Sequence, residues 1–238
     1  VALFAKAAAP DWPQYLAQRA ATARDARLAR FFAAGTIAPD TPINEAPLVA
    51  LDMETTGLDP QRHAIVSIGL VPFTLNRIAL AQRRYWVVRP LRPLSDESVA
   101  FHHITHADIA QAPIIDAILA ELLEALAGRL VVVHFRHIER PFLNTTLQAL
   151  LGEGIQFPVI DTMSIEARRY RQSIWARFRR WIRRPPVSIR LHNSRMRYGL
   201  PAYQGHHALT DALATAELLQ AQIARHFPAD VPIGSLWR

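Results

Sequence analysis

The segment Leu51-Asp52-Met53-Glu54-Thr55-Thr56-Gly57-Leu58 sets two carboxylates two residues apart at the end of an apolar run, Pro47-Leu48-Val49-Ala50-Leu51. Side chains alternate between the faces of an extended strand, so Asp52 and Glu54 would leave the same face. Two like charges that close are unfavourable unless something positive lies between them. Paired acids at a strand end, followed by Thr-Thr-Gly, therefore point to a hard-cation site built of oxygen ligands. Taken alone they also fit two solvated acids beside a turn, the ordinary situation for charged side chains.

Two further clusters carry reactive side chains. In Val131-Val132-Val133-His134-Phe135-Arg136-His137-Ile138-Glu139, a strand, a turn and a helix start follow one another, with Glu139 in the first turns of the helix. In His206-His207-Ala208-Leu209-Thr210-Asp211-Ala212, the opening of the last long helix brings His206 near Asp211. There Asp211 can face inward while His206 sits at the mouth.

The elements that must position these residues follow from pattern and punctuation. Asp11 can cap a helix with Pro13 in its first turn, and 12–34 reads helical, with Tyr15, Leu16, Leu28, Phe31 and Phe32 as apolar anchors. A Pro-rich connector then runs to Pro47. Residues 1–46 are thus expected to form an N-terminal helical arm with its linker, and 47–238 the main domain. Strands are expected at 47–52, 64–74 and 79–88, a helix at 114–127, a strand at 130–134 and a helix at 138–151 ending at Gly152. A fifth strand at 157–161 leads into a helical region, 162–184, that stops at Pro185-Pro186; a short helix at 191–198 and a long one at 206–226 follow. Three antiparallel strands followed by alternating helix and strand give an α/β fold: a mixed five-stranded sheet, with two parallel strands, flanked by helices.

Composition narrows the class. Half of the 238 residues are hydrophobic and 20% are charged, which describes a globular chain rather than a disordered one. With no cysteine there is no disulfide framework and no thiolate metal site. The longest mostly apolar stretch, 64–73, is too short to span a bilayer, and the first residues lack the pattern of a signal peptide. A reducing, cytoplasmic location is the expectation. The net charge of +7 hides an asymmetry: eleven arginines and no acid lie between Arg168 and Arg197, leaving the rest of the chain acidic. A polyanion engaged locally would suit that segment.

Together, Asp52-x-Glu54-Thr-Thr-Gly, the His134…Glu139 segment and His206-x-Ala-x-x-Asp211-Ala resemble the DEDDh 3′–5′ exonucleases, the superfamily of the proofreading epsilon subunit of DNA polymerase III, over roughly 47–226. The resemblance implies an RNase H-like fold and a two-metal hydrolysis of phosphodiesters. Two divalent cations, Mg²⁺ or Mn²⁺, would lie about 4 Å apart, one activating water and the other stabilising the departing 3′ oxygen. It implies that Asp52 bridges both ions, that Glu54 and Asp211 bind the nucleophile-side ion, and that Glu139 supports the leaving-group ion. His206 would take the proton from the attacking water. Thr55, Thr56, Leu58, Phe101, His102 and His134 would meet the terminal nucleotide. The expected products are nucleoside 5′-monophosphates from 3′ ends of single-stranded DNA. RNA or short oligonucleotides are the alternative substrates, and a nucleic-acid-binding module with a weakened site is the alternative function. No partner polymerase can be named, as no clean sliding-clamp motif is visible.

Two positions depart from the family's pattern. Glu139 stands where the family has Asp, and its extra methylene reaches about 1.3 Å further. Phe135 stands where an Asn follows the His, and it has no amide to offer a sugar or a terminal nucleotide. His137 and His207 read as structural or surface residues, since a single base suffices.

In the arginine segment, Tyr170, Ile174, Trp175, Phe178, Trp181 and Ile182 recur at helical spacing among Arg177, Arg179, Arg180, Arg183 and Arg184. A basic amphipathic segment within 162–197 could line a nucleic-acid groove. It could also touch a membrane surface through 170–184, or dock on the domain with a solvated Arg face.

Overall fold

The computed structural model describes residues 10–90, 104–174, 178, 181–183 and 185–238. Its centre is a five-stranded sheet in the order β3-β2-β1-β4-β5, built from β1 (Leu48–Thr55), β2 (Ile65–Phe73), β3 (Arg84–Val87), β4 (Leu130–Val133) and β5 (Val159–Asp161). The first three strands pair antiparallel, and β4 and β5 add in parallel on the other side of β1. This is the expected mixed sheet. The third strand is shorter than expected, because 80–82 forms a 3₁₀ turn before it.

Both faces are covered. On one, Val49, Leu51 and Met53 of β1 pack with α4 (Ile115–Leu126) and α5 (Arg136–Leu151). On the other, Leu48 and Ala50 pack under Ala212, Ala216, Leu219 and Ile223 of α8 (Ala208–His226). The alternation along β1 thus assigns Asp52 and Glu54, two and four residues beyond Ala50, to the face beneath α8. A short helix, α3 (His106–Ala110), was not expected from the sequence; Thr105 and Asp108 close a reciprocal capping box at its start.

The N-terminal helical run is two helices rather than one: α1 (Trp12–Thr22) and α2 (Ala26–Ala33). The break comes from Asp25, whose carboxylate accepts the N–H groups of Arg27 and Leu28 and so starts a new helix. Glu153 holds the elbow from the far end of α5, accepting the N–H groups of Arg24 and Asp25 at 2.9 Å each. Leu16, Leu28, Phe31 and Phe32 enter the core against α4 and α5, and Trp12 enters the opposite one.

The basic segment is likewise interrupted. Helix α6 (Thr162–Tyr170) ends at Arg171, the described residues Ile174, Phe178 and Trp181 are helical again beyond that break, and α7 (Leu191–Arg197) follows after Pro185-Pro186. A buried polar knot ties these helices to α8: the carboxylate of Glu166 accepts from Arg197, Tyr198 (2.7 Å) and Gln222 (2.9 Å). Trp175, Arg177, Arg179, Arg180 and Arg184 of the expected groove, and Phe101 and His102 of the expected nucleotide contacts, lie outside the described residues.

Candidate active site

The strand β1 delivers Asp52 and Glu54 to the end of the sheet, and one glycine brings the third carboxylate to them. Asp52 pairs with Gly69 of β2. A Cβ on Gly69 would lie 2.3 Å from the carbonyl carbon of Ala208, so only glycine lets the first turn of α8 rest directly on the sheet. Asp211, less than one turn further along α8, then stands beside Asp52. Oxygen atoms of Asp52, Glu54 and Asp211 all lie within 4.8 Å of one another.

Asp211 is held from three sides. Its Oδ2 accepts the backbone N–H groups of His206 at 2.8 Å and His207 at 3.3 Å, and the Tyr203 hydroxyl hydrogen-bonds to the same carboxylate. Burial and the neighbouring Asp211 charge push the Tyr203 phenol far above its ordinary value, so it stays a protonated donor. His206 makes the turn with φ of 66°, a left-handed conformation that lets its N–H point back at Asp211 while the imidazole stays exposed at the rim.

Glu139 lies outside this three-carboxylate group. It sits on the wall of the same cleft, 3% exposed, and its Oε2 makes no hydrogen bond among the described residues. Burial raises three of these acids, and neighbouring carboxylates add to the shift of Asp52 and Glu54. Burial, then the charges of Asp211, Glu139 and Glu54, push the Asp52 carboxyl well above the usual carboxylate range. Burial and Asp211 push Glu54 up to about 7, and burial raises Glu139 strongly. Carboxyls that resist ionisation, with an unpaired buried oxygen beside them, form a donor set that fits a divalent cation with oxygen ligands.

The carboxylates open into a cleft of about 1140 Å³. The loop after β1 forms one wall. Thr55 Oγ1 donates to the Gly57 carbonyl at 2.7 Å, Thr56 Oγ1 accepts the Ala64 N–H at 3.0 Å, and Leu58 projects with 79% exposure. His134 also lines the cleft, but both its ring nitrogens are committed to the protein. Nε2 donates to the Ile189 carbonyl at 3.1 Å, and Nδ1 lies 2.8 Å from the Thr162 hydroxyl, which also reaches the Val133 carbonyl at 3.0 Å. Burial pulls this imidazole down to about 4, so it is neutral at physiological pH. His207 stacks on Tyr85 with ring centroids 4.5 Å apart. Of the arginines expected to form a groove, Arg183 is described, and it is exposed.

Several cleft residues were not anticipated from sequence: Tyr203, Arg62, His63, Arg190 and His192. Tyr203 lies in irregular chain, where no periodicity flags it. Its place depends on Arg195, whose guanidinium lies 4.9 Å over the tyrosine ring while donating to the Ala214 and Pro201 carbonyls.

Comparisons with known proteins bear on the family and the fold. The family model for exonucleases of the RNase T type matches residues 49–219. The chain belongs to this exonuclease family and has an RNase H-like fold. It is 27% identical over 177 residues to the DNA polymerase III subunit epsilon of Treponema pallidum, covering 74% of this chain and 76% of that protein. It is 28% identical over 182 residues to the PolC-type DNA polymerase III of Thermotoga maritima, covering 76% of this chain but only 12% of that much longer relative. Among solved structures, Exonuclease X in complex with 5′ overhanging duplex DNA superposes with a TM-score of 0.59 at 23% identity, covering 79% of this chain and 98% of that one. The nuclease domain of 3′hExo bound to rAMP gives 0.60 at 16%, covering 76% and 92%. No helix among the described residues is long and apolar enough to cross a membrane, and neither structure nor relatives support membrane contact through 170–184.

Proposed function

We propose that this chain is a 3′–5′ exonuclease that removes nucleoside 5′-monophosphates from single-stranded DNA ends with two divalent cations, Mg²⁺ or Mn²⁺. The observation that carries the reading is the convergence of Asp52, Glu54 and Asp211 within 4.8 Å at the floor of an open cleft. Asp52, Glu54 and Asp211 would hold one cation, and Glu139, with its unpaired Oε2, would complete the holding of a second with Asp52. When bound, the cations supply charge neutralisation for an anionic phosphate and its leaving oxygen. The protein's own part is to position and to move a proton. His206, exposed at the rim five residues before Asp211, takes the proton of the water that attacks phosphorus, and the P–O3′ bond breaks as the departing oxygen takes a proton from solvent, leaving a shortened strand with a 3′ hydroxyl. Tyr203 and the two backbone N–H groups keep Asp211 in one orientation while this happens. The loop of Thr55, Thr56 and Leu58 receives the terminal nucleotide. The resemblance to polymerase III epsilon subunits favours DNA and makes a polymerase the first partner to test.

Oligonucleotides labelled at either end, incubated with Mg²⁺ or Mn²⁺, test the reading. Mononucleotide release from the 3′ end is expected, with EDTA abolishing it and Asp52→Ala or Asp211→Asn lowering it about a hundredfold or more. Binding without release, or a rate indifferent to Asp52→Ala, would overturn the enzyme assignment. Faster release from RNA than from DNA would reassign the substrate.

A further inference from the structure

Phe135 is placed as a core phenylalanine would not be. It sits between β4 and α5 with φ of 108° and ψ of 72°, a left-handed backbone that disfavours any residue with a Cβ. The conformation is imposed from outside. The Phe135 N–H donates to Asp161 Oδ1 at 3.1 Å, and that same oxygen accepts the N–H groups of Met163 and Ser164 at the start of α6. The Phe135 carbonyl accepts the Ile138 N–H at 3.0 Å, closing the first turn of α5. Two helix starts therefore lock one strained residue.

The strain does not serve burial. The ring is 38% exposed, and it lines the cleft that holds the carboxylates. Among the described residues, the only exposed large apolar side chains lining that cleft are Phe135 and Leu58. The rest of the cleft combines carboxylate, hydroxyl, imidazole and guanidinium groups with the less exposed side chains of Met53, Ile138, Met163 and Leu191. An aromatic face held rigidly in such surroundings offers what a nucleobase needs: a flat apolar partner, with the charged groups left for the phosphate. Every base has a π face, so stacking of this kind tolerates sequence, and it requires a base free of its complement.

We propose that Phe135 is the stacking platform for the base of the 3′-terminal nucleotide, and that it selects unpaired ends. The proposal rests on the exonuclease reading for the identity of the ligand. It makes the ring, rather than an amide, the recognition element at this position.

The test couples the side chain to the base. Two single-stranded oligonucleotides are used, alike except that one ends in an abasic 3′ residue. Affinity is measured by titration with Ca²⁺ in place of Mg²⁺, and KM and kcat with Mg²⁺. Phe135→Ala is expected to weaken capture of the normal end about tenfold, chiefly in KM, and to leave the abasic end unchanged. Phe135→Trp should keep the discrimination. Phe135→Gly should lose it while raising the thermal midpoint, because glycine adopts the left-handed backbone without strain; the two opposite signs separate recognition from folding. Equal weakening toward both oligonucleotides, or none toward either, would overturn the platform. If the wild-type protein releases no mononucleotide, the exonuclease reading fails. The Ca²⁺ titration would still decide whether Phe135 distinguishes a base from its absence.

Discussion

Glu139 shows how a single buried acid divides stability from function. Its Oε2 lacks a hydrogen bond among the described residues, and burial raises its carboxyl well above the ordinary range. A group so placed destabilises the cation-free fold. Glu139→Gln is therefore expected to raise stability by about 1 kcal/mol in urea titrations without metal, while cutting mononucleotide release at least about tenfold. Glu139→Asp should keep or raise activity, as the resemblance places an Asp at this position; total loss would mean that the site is arranged differently.

At the scale of elements, the site depends on where helices begin. Gly69 lets α8 rest on β2, so Gly69→Ala is expected to cost about 1–3 kcal/mol and to lower activity by shifting Asp211 away from Asp52. Parallel urea denaturation and turnover measurements check both. Asp25 starts α2 and pairs with Arg27 at 2.8 Å, and that side-chain hydrogen bond holds its carboxyl down to about 2. A depressed carboxyl contributes stability that is present above its unfolded value, near 4, and is lost as pH falls through about 2. The partly exposed pair is worth about 1 kcal/mol or less. Asp25→Asn keeps the cap, so the variant should be less stable than wild type at pH 6 and equal to it near pH 2; an unchanged difference would remove the ion pair as its source.

These starts also mark what was legible in the sequence. Strands β1, β2 and β4 announced themselves by apolar runs, and Asp52 and Glu54 by their spacing at the end of one. The break between α1 and α2 did not, because no glycine or proline marks it and the carboxylate that holds the elbow lies more than a hundred residues away at Glu153. Tyr203 escaped for a similar reason: its hydrogen bond to Asp211 is made by tertiary packing under Arg195. Phe135 was legible as a departure from pattern, but its left-handed backbone comes from Asp161, which only the fold brings near.

Across the whole molecule, acids gather in the cleft, and of the eleven arginines between Arg168 and Arg197, which form a separate stretch of chain, Arg190 lines that cleft. If that stretch guides the strand toward the carboxylates, neutralising Arg177, Arg179, Arg180, Arg183 and Arg184 together should weaken single-strand binding at low salt. It should also flatten the dependence of log affinity on log salt by about 0.7 for each phosphate that is no longer neutralised. Fluorescence anisotropy at several salt concentrations checks this, and an unchanged slope would leave these arginines as a solvated surface.

Residues 237 and 238 have a use separate from catalysis. Trp237 bridges to Ile160, and Arg238 exchanges two backbone hydrogen bonds with Val159, while Arg140 donates to the Arg238 carbonyl. A parallel sheet whose last strand stood bare would offer its peptide groups to any extended segment in solution. Here two residues lie along β5 and occupy those groups, so this margin of the sheet is guarded against strand addition and the self-association that follows from it.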